Sequence, residues 1–172
     1  MANTYELITS NTVGSGGVSS VTFSSIPGTY TDLVIKLSVR DGRPTLAVSD
    51  IRFNFNGTGV GTNISGRYVY GNGSSAASTT VGSNGELAFA DGNGATVSTF
   101  GNAEVYIPNY AGSAYKGISS DSAAENNATA GYNLLLAGLF GSTSAITSIA
   151  MTPFSGNFAE YSTFYLYGIK NS

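Results

Sequence analysis

Short runs of alternating apolar and polar residues recur along the chain, and turns rich in glycine and asparagine separate them. From Leu33 to Val39 every second residue is aliphatic, while Lys36 and Ser38 lie between. Successive side chains of a strand point to opposite faces, so such a run gives one face to a core and the other to water. Ile51–Phe55 and Ala103–Ile107 repeat the pattern. It predicts half-buried strands and constrains the chain to a sheet-based fold.

About ten segments qualify as strands, and a further one closes the chain. They lie at 4–10, 18–24, 31–40, 50–56, 64–70, 86–90, 99–107, 116–121, 131–139, 146–152 and 160–169. Pairs such as Asp41-Gly42 and Asn56-Gly57 mark turns between them, because these residues tolerate positive φ. Short strands at regular spacing predict an all-β fold, an antiparallel β-sandwich of jelly-roll-like type. We expect a single domain over residues 1–172.

Three segments do not fit the alternating pattern. Residues 71–85 contain almost nothing to bury and are predicted to form a long exposed loop, either functional or passive. Ser122–Ala130 is rich in alanine and is a candidate for one turn of helix. Tyr132–Phe140 is apolar throughout its centre, which fits a fully buried strand or a buried helix; the glycines around it favour the strand.

The chain has no histidine and no cysteine. This removes the commonest general base, the thiol nucleophile, all disulfides and the usual zinc ligands. A serine nucleophile would then need a nearby lysine, and Lys36, Lys116 and Lys170 are the candidates. Lys36 lies in a predicted strand and is expected to face solvent. We therefore expect a protein without enzymatic activity, catalytic residues or cofactor.

Two glycine-rich segments resemble known ligand loops only superficially. Asp91-Gly-Asn-Gly94 starts like a calcium loop, but Ala95 and Asn102 stand where the EF-hand needs ligands. Gly57–Gly61 lacks the lysine and the helix of a phosphate-binding loop. Both segments are predicted to be turns, and no metal site is expected.

A pair of carboxylates is the remaining catalytic possibility, since glycosidases need two at a controlled separation. Asp50, Glu104, Asp121 and Glu125 are the candidates. Sequence spacing across strands leaves open whether any of them meet.

Charged residues make up 10% of the chain, against about 25% in an average soluble domain, and the net charge is −3. The basic residues are scattered, so no nucleic-acid footprint is present. No apolar stretch is long enough to cross a membrane, and the N-terminus lacks signal-peptide features. We expect no membrane association, and we expect the protein to be made in a cytoplasm. A surface so poor in charge also favours packing against other subunits.

Tyrosine supplies the candidate interface, because an apolar ring with a polar tip suits contact surfaces and also stacking on sugars. The alternative is that these rings fill the rims of the sandwich. The candidate interface residues are Tyr5, Leu7, Tyr68, Tyr70, Tyr110, Tyr161, Tyr165 and Tyr167.

Both ends and the middle of the chain carry a family resemblance. The matching segments are 5–13, 21–27, 29–33, Ile107-Pro-Asn-Tyr-Ala111, 145–149, Pro153, 155–158, 161–162 and the most specific one, Leu166-Tyr-Gly-Ile-Lys170. In these segments the chain resembles small virion proteins of tailed bacteriophages from marine and cyanobacterial hosts. The resemblance implies a structural component of the virion and supplies no catalytic residues.

Two places on the particle are compatible with this resemblance. One is a capsid decoration or cement protein, a homotrimer bound to the major capsid protein lattice. The other is a tail-fibre or receptor-binding protein that adheres to host surface glycan. The shortness of the chain leaves no room for an attachment segment and a shaft, so we expect decoration. Subunit contacts are expected near Tyr5–Ile8 and Phe164–Ile169, with the 71–85 loop facing outward or gripping the coat.

Overall fold

The computed structural model describes residues 4–82, 84–127 and 131–170, and these contain strands and turns but no helix. The predicted antiparallel β-sandwich is confirmed, with twelve strands rather than about ten. The strands are β1 (Tyr5–Thr12), β2 (Val21–Phe23), β3 (Asp32–Val39), β4 (Val48–Phe55), β5 (Ile64–Gly71), β6 (Ala76–Thr80), β7 (Glu86–Asp91), β8 (Gly101–Pro108), β9 (Lys116–Glu125), β10 (Gly131–Phe140), β11 (Ile149–Pro153) and β12 (Thr163–Ile169).

The strands form two sheets of unequal size. The larger sheet has eight strands in the order β1-β12-β3-β8-β9-β10-β5-β6, and the smaller has four in the order β2-β11-β4-β7. Neighbouring strands pair antiparallel in both. Four strands cannot cover eight, so part of the inner face of the larger sheet, toward β5 and β6, extends beyond the smaller one.

The core lies between the two sheets and follows from the alternation in the sequence. Leu33, Ile35 and Val39 of β3 are fully buried, and so are Phe53 of β4 and Phe164 of β12. Full burial of one such side chain contributes about 1.5–3 kcal/mol. The residues that alternate with these buried positions along each strand point to the opposite face, and Lys36 is exposed as predicted. The face of the larger sheet that points away from the smaller sheet is called here the outer face.

Two of the irregular segments differ from the predictions. Residues 71–85 are not one long loop, because Ala76–Thr80 forms the edge strand β6 and pairs with β5. Ser122–Glu125 belongs to β9 and is not helical, since its backbone pairs with β8 and β10. Residues 128–130, the end of the predicted helical turn, lie outside the described residues.

The segment Tyr132–Phe140 is a strand, as preferred, but it is not fully buried. Leu134 and Leu136 of β10 are 4% and 5% exposed, whereas Leu135 between them is 54% exposed. The strand therefore presents aliphatic side chains on both faces, and one of these faces is the outer face.

Both glycine-rich segments are turns, as predicted. Gly57 and Gly59 have φ of 67° and 110°, a region that side chains with a Cβ rarely adopt. After Asp91 the chain reverses, and the Ala95 N–H donates to the Gly92 carbonyl at 3.1 Å.

Candidate functional site

The predicted interface residues do not form one surface. The outer face carries Tyr5, Leu7, Tyr165 and Tyr167, and the inner face of the larger sheet carries Tyr68 and Tyr70. The core contains Tyr110, and a turn contains Tyr161.

The outer face is an array of eight strands in register. A complete row of side chains crosses it from β1 to β6, and the register places these residues directly opposite one another. The row is Ser10, Tyr165, Lys36, Glu104, Asp121, Leu135, Val69 and Ser78. Cross-strand neighbours lie about 4.5–5.5 Å apart at Cβ, so they act as one continuous surface. Along this row the face changes from aromatic to charged to aliphatic.

The aromatic part is named here the tyrosine patch and consists of Tyr5, Leu7, Tyr165 and Tyr167. The Tyr5 and Tyr167 rings meet edge to face with centroids 6.3 Å apart, and those of Tyr165 and Tyr167 are 6.4 Å apart at 26°. Leu7 lies opposite Tyr167 in the register of β1 and β12. Tyr5 and Leu7 are half exposed, at 50% and 51%. The two terminal strands thus bring together four of the predicted residues.

The charged part of the row contains an ion pair. Lys36 Nζ lies 2.9 Å from Glu104 Oε2, and both side chains are about half exposed. The bond to Glu104 raises the pKa of Lys36. Asp121 is opposite Glu104 across β8 and β9. Two of the four candidate carboxylates are therefore cross-strand neighbours, and one of them is already paired with a lysine.

The other two candidate carboxylates lie elsewhere. Asp50 is on β4 in the smaller sheet and pairs with Arg43 at 2.8 Å. Glu125, at the end of β9, accepts hydrogen bonds from the backbone N–H and the hydroxyl of Thr96, at 2.7 and 2.9 Å. The four carboxylates do not converge on one cleft.

The aliphatic part of the outer face, named here the aliphatic patch, consists of Val69, Leu135 and Leu139. Their exposed fractions are 51%, 54% and 39%. Val69 and Leu135 are opposite each other on β5 and β10. Sequence reasoning missed this patch because it assigned the whole leucine run to the core. The signal in the sequence was the unbroken apolar run itself, which puts aliphatic side chains on both faces of any strand.

A second surface lies on the inner face of β5 and β10 and is named here the aromatic cleft. It is about 790 Å³ in volume and includes Tyr68, Tyr70, Tyr132 and Phe89 in its lining. The Tyr68 ring packs on Phe89 of the smaller sheet, with centroids 5.1 Å apart. Tyr70 lies 6.1 Å from Tyr68 and 6.3 Å from Tyr132, nearly parallel to the latter at 19°. Sequence reasoning found Tyr68 and Tyr70 but not Tyr132, whose strand was assigned to the core.

Polar groups of β4 and of three connecting segments complete the cleft. Arg43 and Asp50 line it and bind each other. Burial raises the pKa of Asp50; Arg43 opposes this rise and Glu86 adds to it. The Arg43 guanidinium also sits 3.9 Å from the ring centroid of Phe154. Because an ion pair and a ring both hold it, the arginine is fixed at the wall of the cleft.

Asn72 and Asn126 supply amides to the cleft lining. The Asn72 Oδ1 accepts the N–H groups of Ser74 and Ser75, at 3.0 and 2.8 Å, which orders the turn before β6. The Asn126 Oδ1 is covered and has no hydrogen-bond partner among the described residues. One amide of the cleft is therefore committed to the fold, and the other keeps an unused acceptor.

Tyr110 does not belong to either surface. Its ring is fully buried, its hydroxyl donates to the Pro27 carbonyl, and burial raises its pKa. The interface expectation for Tyr110 is corrected accordingly: this residue fastens the 108–112 turn to the chain before β3. Tyr161 is 70% exposed in the turn before β12, away from the other candidates.

The three lysines are engaged in contacts of their own. Lys36 binds Glu104, and Lys170 Nζ donates to Glu6 at 2.6 Å. Lys116 is buried, with a pKa lowered by that burial, and donates to the backbone carbonyls of Ser142 and Ser144 at 3.1 and 2.6 Å. Lys116 thus holds the turn that follows β10.

Comparison of the chain with protein-family models, curated proteins and solved structures gives no significant match. Within residues 4–82, 84–127 and 131–170, no three acidic side chains are grouped so as to hold a metal ion. No helix in those ranges has the length and apolarity needed to cross a bilayer.

Proposed function

We propose that this chain is a non-enzymatic structural protein of a tailed-bacteriophage virion and that it decorates the head by binding the major capsid protein lattice. The observation that carries the proposal is the outer face. Five of the ten large apolar residues that are exposed in the described chain lie on it. Exposed apolar groups collected on one broad face are typical of a surface that docks on another protein.

The arrangement of the outer face supports two separate contacts. The tyrosine patch is at the β1 edge, and the aliphatic patch is near the opposite edge, with Lys36, Glu104 and Asp121 between them. We assign the tyrosine patch to contacts between copies of the chain in a homotrimer. The aliphatic patch is then assigned to the coat protein. Strand β1 favours self-association further, because an edge strand offers unpaired backbone groups to a neighbour.

A trimer needs only modest contacts to hold a lattice. Three linked copies bind as one unit, so the second and third contacts form at high effective concentration. Each copy that bridges coat subunits stabilises the assembled head over the dissociated one by mass action. The low charge of the chain, 10%, suits subunits packed side by side.

The experiment compares binding of the purified protein and two variants to heads that lack both tails and this protein. Leu135→Glu places a charge in the aliphatic patch and should weaken binding roughly tenfold or more. Val97→Glu is the matched control, since Val97 is 84% exposed outside this face and should leave binding unchanged. Undiminished binding by the Leu135 variant would contradict the assigned docking surface.

A copy count separates decoration from the alternative placement. Quantitative mass spectrometry of purified virions should give a copy number comparable with that of the major capsid protein. A copy number in the range of the tail proteins would instead favour a tail-fibre or receptor-binding protein. The aromatic cleft is the observation that supports this second candidate, because it offers rings and amides to a host glycan.

A further inference from the structure

We propose that the aromatic cleft binds a neutral oligosaccharide, whose sugar rings stack on Tyr70 and Tyr132. The inference goes beyond decoration, and it holds whether the chain occupies the head or the tail. It rests on the geometry of the cleft and makes no use of the outer face.

The floor of the cleft is a continuous aromatic surface. Tyr68 and Tyr70 are two residues apart on β5 and therefore point to the same face. Tyr132 lies on the neighbouring β10, diagonal to Tyr70, which is opposite Leu134. The Tyr70 and Tyr132 rings are nearly parallel, inclined by 19° with centroids 6.3 Å apart, and this pair is the proposed platform. A pyranose ring presents a flat face of C–H groups that matches the electron-rich face of such rings.

The walls of the cleft combine apolar side chains such as Leu46 and Val48 with polar ones, and the polar ones argue for a ligand that carries hydroxyls. Arg43, Asp50, Asn72 and Thr79 all line it. A purely apolar occupant would remove these groups from water without replacing their hydrogen bonds, at a cost in free energy for each. A saccharide avoids that cost, because its equatorial hydroxyls replace water at the walls while its C–H face covers the floor.

The charge of the cleft favours a neutral sugar over an acidic or basic one. Asp50 and Arg43 are 2.8 Å apart and neutralise each other. An anionic or cationic ligand would have to compete with this partly buried pair. Asn126 lines the cleft, and its covered Oδ1, which has no partner among the described residues, is an acceptor that a hydroxyl donor would satisfy.

The size of the cleft fits a short oligosaccharide. Its volume of about 790 Å³ lies within the range of roughly 300–1,000 Å³ typical of small-molecule sites. In the proposed complex, adjacent sugar rings lie one on each tyrosine of this platform. We therefore infer that the ligand is a segment of about two or three sugar units.

The test uses the full chain and four defined neutral trisaccharides: maltotriose, cellotriose, mannotriose and triacetylchitotriose. Saturation-transfer NMR should detect binding of at least one of these trisaccharides at trisaccharide concentrations up to about 5 mM. Tyr70→Ala and Tyr132→Ala should each weaken that binding about tenfold or more, because each removes one ring of the platform. Tyr70→Phe keeps the ring, so its affinity for the trisaccharide should stay within about threefold of that of the unmodified chain.

Tyr161→Ala is the matched control, because it removes an exposed ring outside the cleft and should not change binding. Thermal unfolding of each variant shows whether a loss reflects the site or the fold. The proposal is overturned if none of the four trisaccharides binds, or if binding survives in a folded variant lacking both rings. Leu135→Glu, which tests docking on heads, should retain saccharide binding, so failure of one proposal is distinguishable from failure of the other.

Discussion

Tyrosine serves three purposes in this chain, and the surroundings of each ring decide which one applies. Tyr110 is a core residue whose hydroxyl is used inside the protein. Tyr70 and Tyr132 line a cleft, and Tyr5 and Tyr167 pack on each other on the outer face. Composition predicts that tyrosines will make contacts. The strand and face on which each one lies determine whether those contacts are internal or with a partner.

Replacing Tyr110 by Phe should destabilise the protein by about 1–2 kcal/mol, because the Pro27 carbonyl loses its donor while the ring still fills the core. For a chain of this length such a loss lowers the melting temperature by about 2–4 °C per kcal/mol. Differential scanning calorimetry provides the measurement. Tyr161→Phe is the matched control, since its hydroxyl is on an exposed side chain. An equal loss in both variants would show that the buried hydrogen bond contributes nothing specific.

Residue patterns predicted the core well and the exposed patches poorly. Every second residue from Leu33 to Val39 in β3 and from Ile51 to Phe55 in β4 is aliphatic or Phe, and this alternation identified Leu33, Ile35 and Phe53 correctly. Leu135 shows the limit, because a run of three leucines carries no alternation from which to assign a face. Tyr132 was missed for the same reason, being counted with the same apolar run.

At the level of single strands, the pairing of β5 with β10 supports both proposed surfaces, the aliphatic patch on one side and the aromatic cleft on the other. The two strands come close at Gly66, which lies opposite Gly138. A Cβ at Gly66 would lie 2.6 Å from the Ala137 carbonyl oxygen, a backbone atom that cannot move aside freely. Gly66 is thus required for this close approach.

Gly66→Ala should therefore destabilise the chain by about 1–3 kcal/mol, the usual cost of overpacking. Gly117→Ala is the matched control on β9, because a Cβ at Gly117 would meet no heavy atom within 4 Å beyond its chain neighbours. This variant should change the free energy of unfolding by less than about 1 kcal/mol. Urea unfolding of both variants measures the difference. Equal stabilities would mean that the strands separate at no cost and that the close approach is unimportant.

The strand that sequence reasoning missed, β6, has no apolar pattern to reveal it. Ala76–Thr80 contains only alanine, serine and threonine, and all five residues are exposed. Its backbone bonds to β5 hold it in the sheet, a contribution that hydrophobic periodicity does not report. The same absence of pattern explains why the region was predicted to be a loop.

For the whole molecule, low charge predicts how its association should respond to salt. With 10% charged residues and a net charge of −3, little of the proposed docking energy comes from charge. Binding to heads should change less than about threefold between about 0.05 and 1 M NaCl, because screening acts on exposed charges and not on apolar contact. Sedimentation of heads with bound protein measures this. A loss of about tenfold or more would mean that charged residues dominate the interface.

The unequal sheets separate the residues that make the fold from those available for recognition. Where the four-stranded layer ends, inner-face positions on β5 and β6 such as Tyr70, Ala77 and Thr79 carry no share of the central packing. Mutations there can accumulate without threatening folding, and each one reshapes the cleft. Related chains could in this way diversify what they recognise while inheriting an unchanged scaffold.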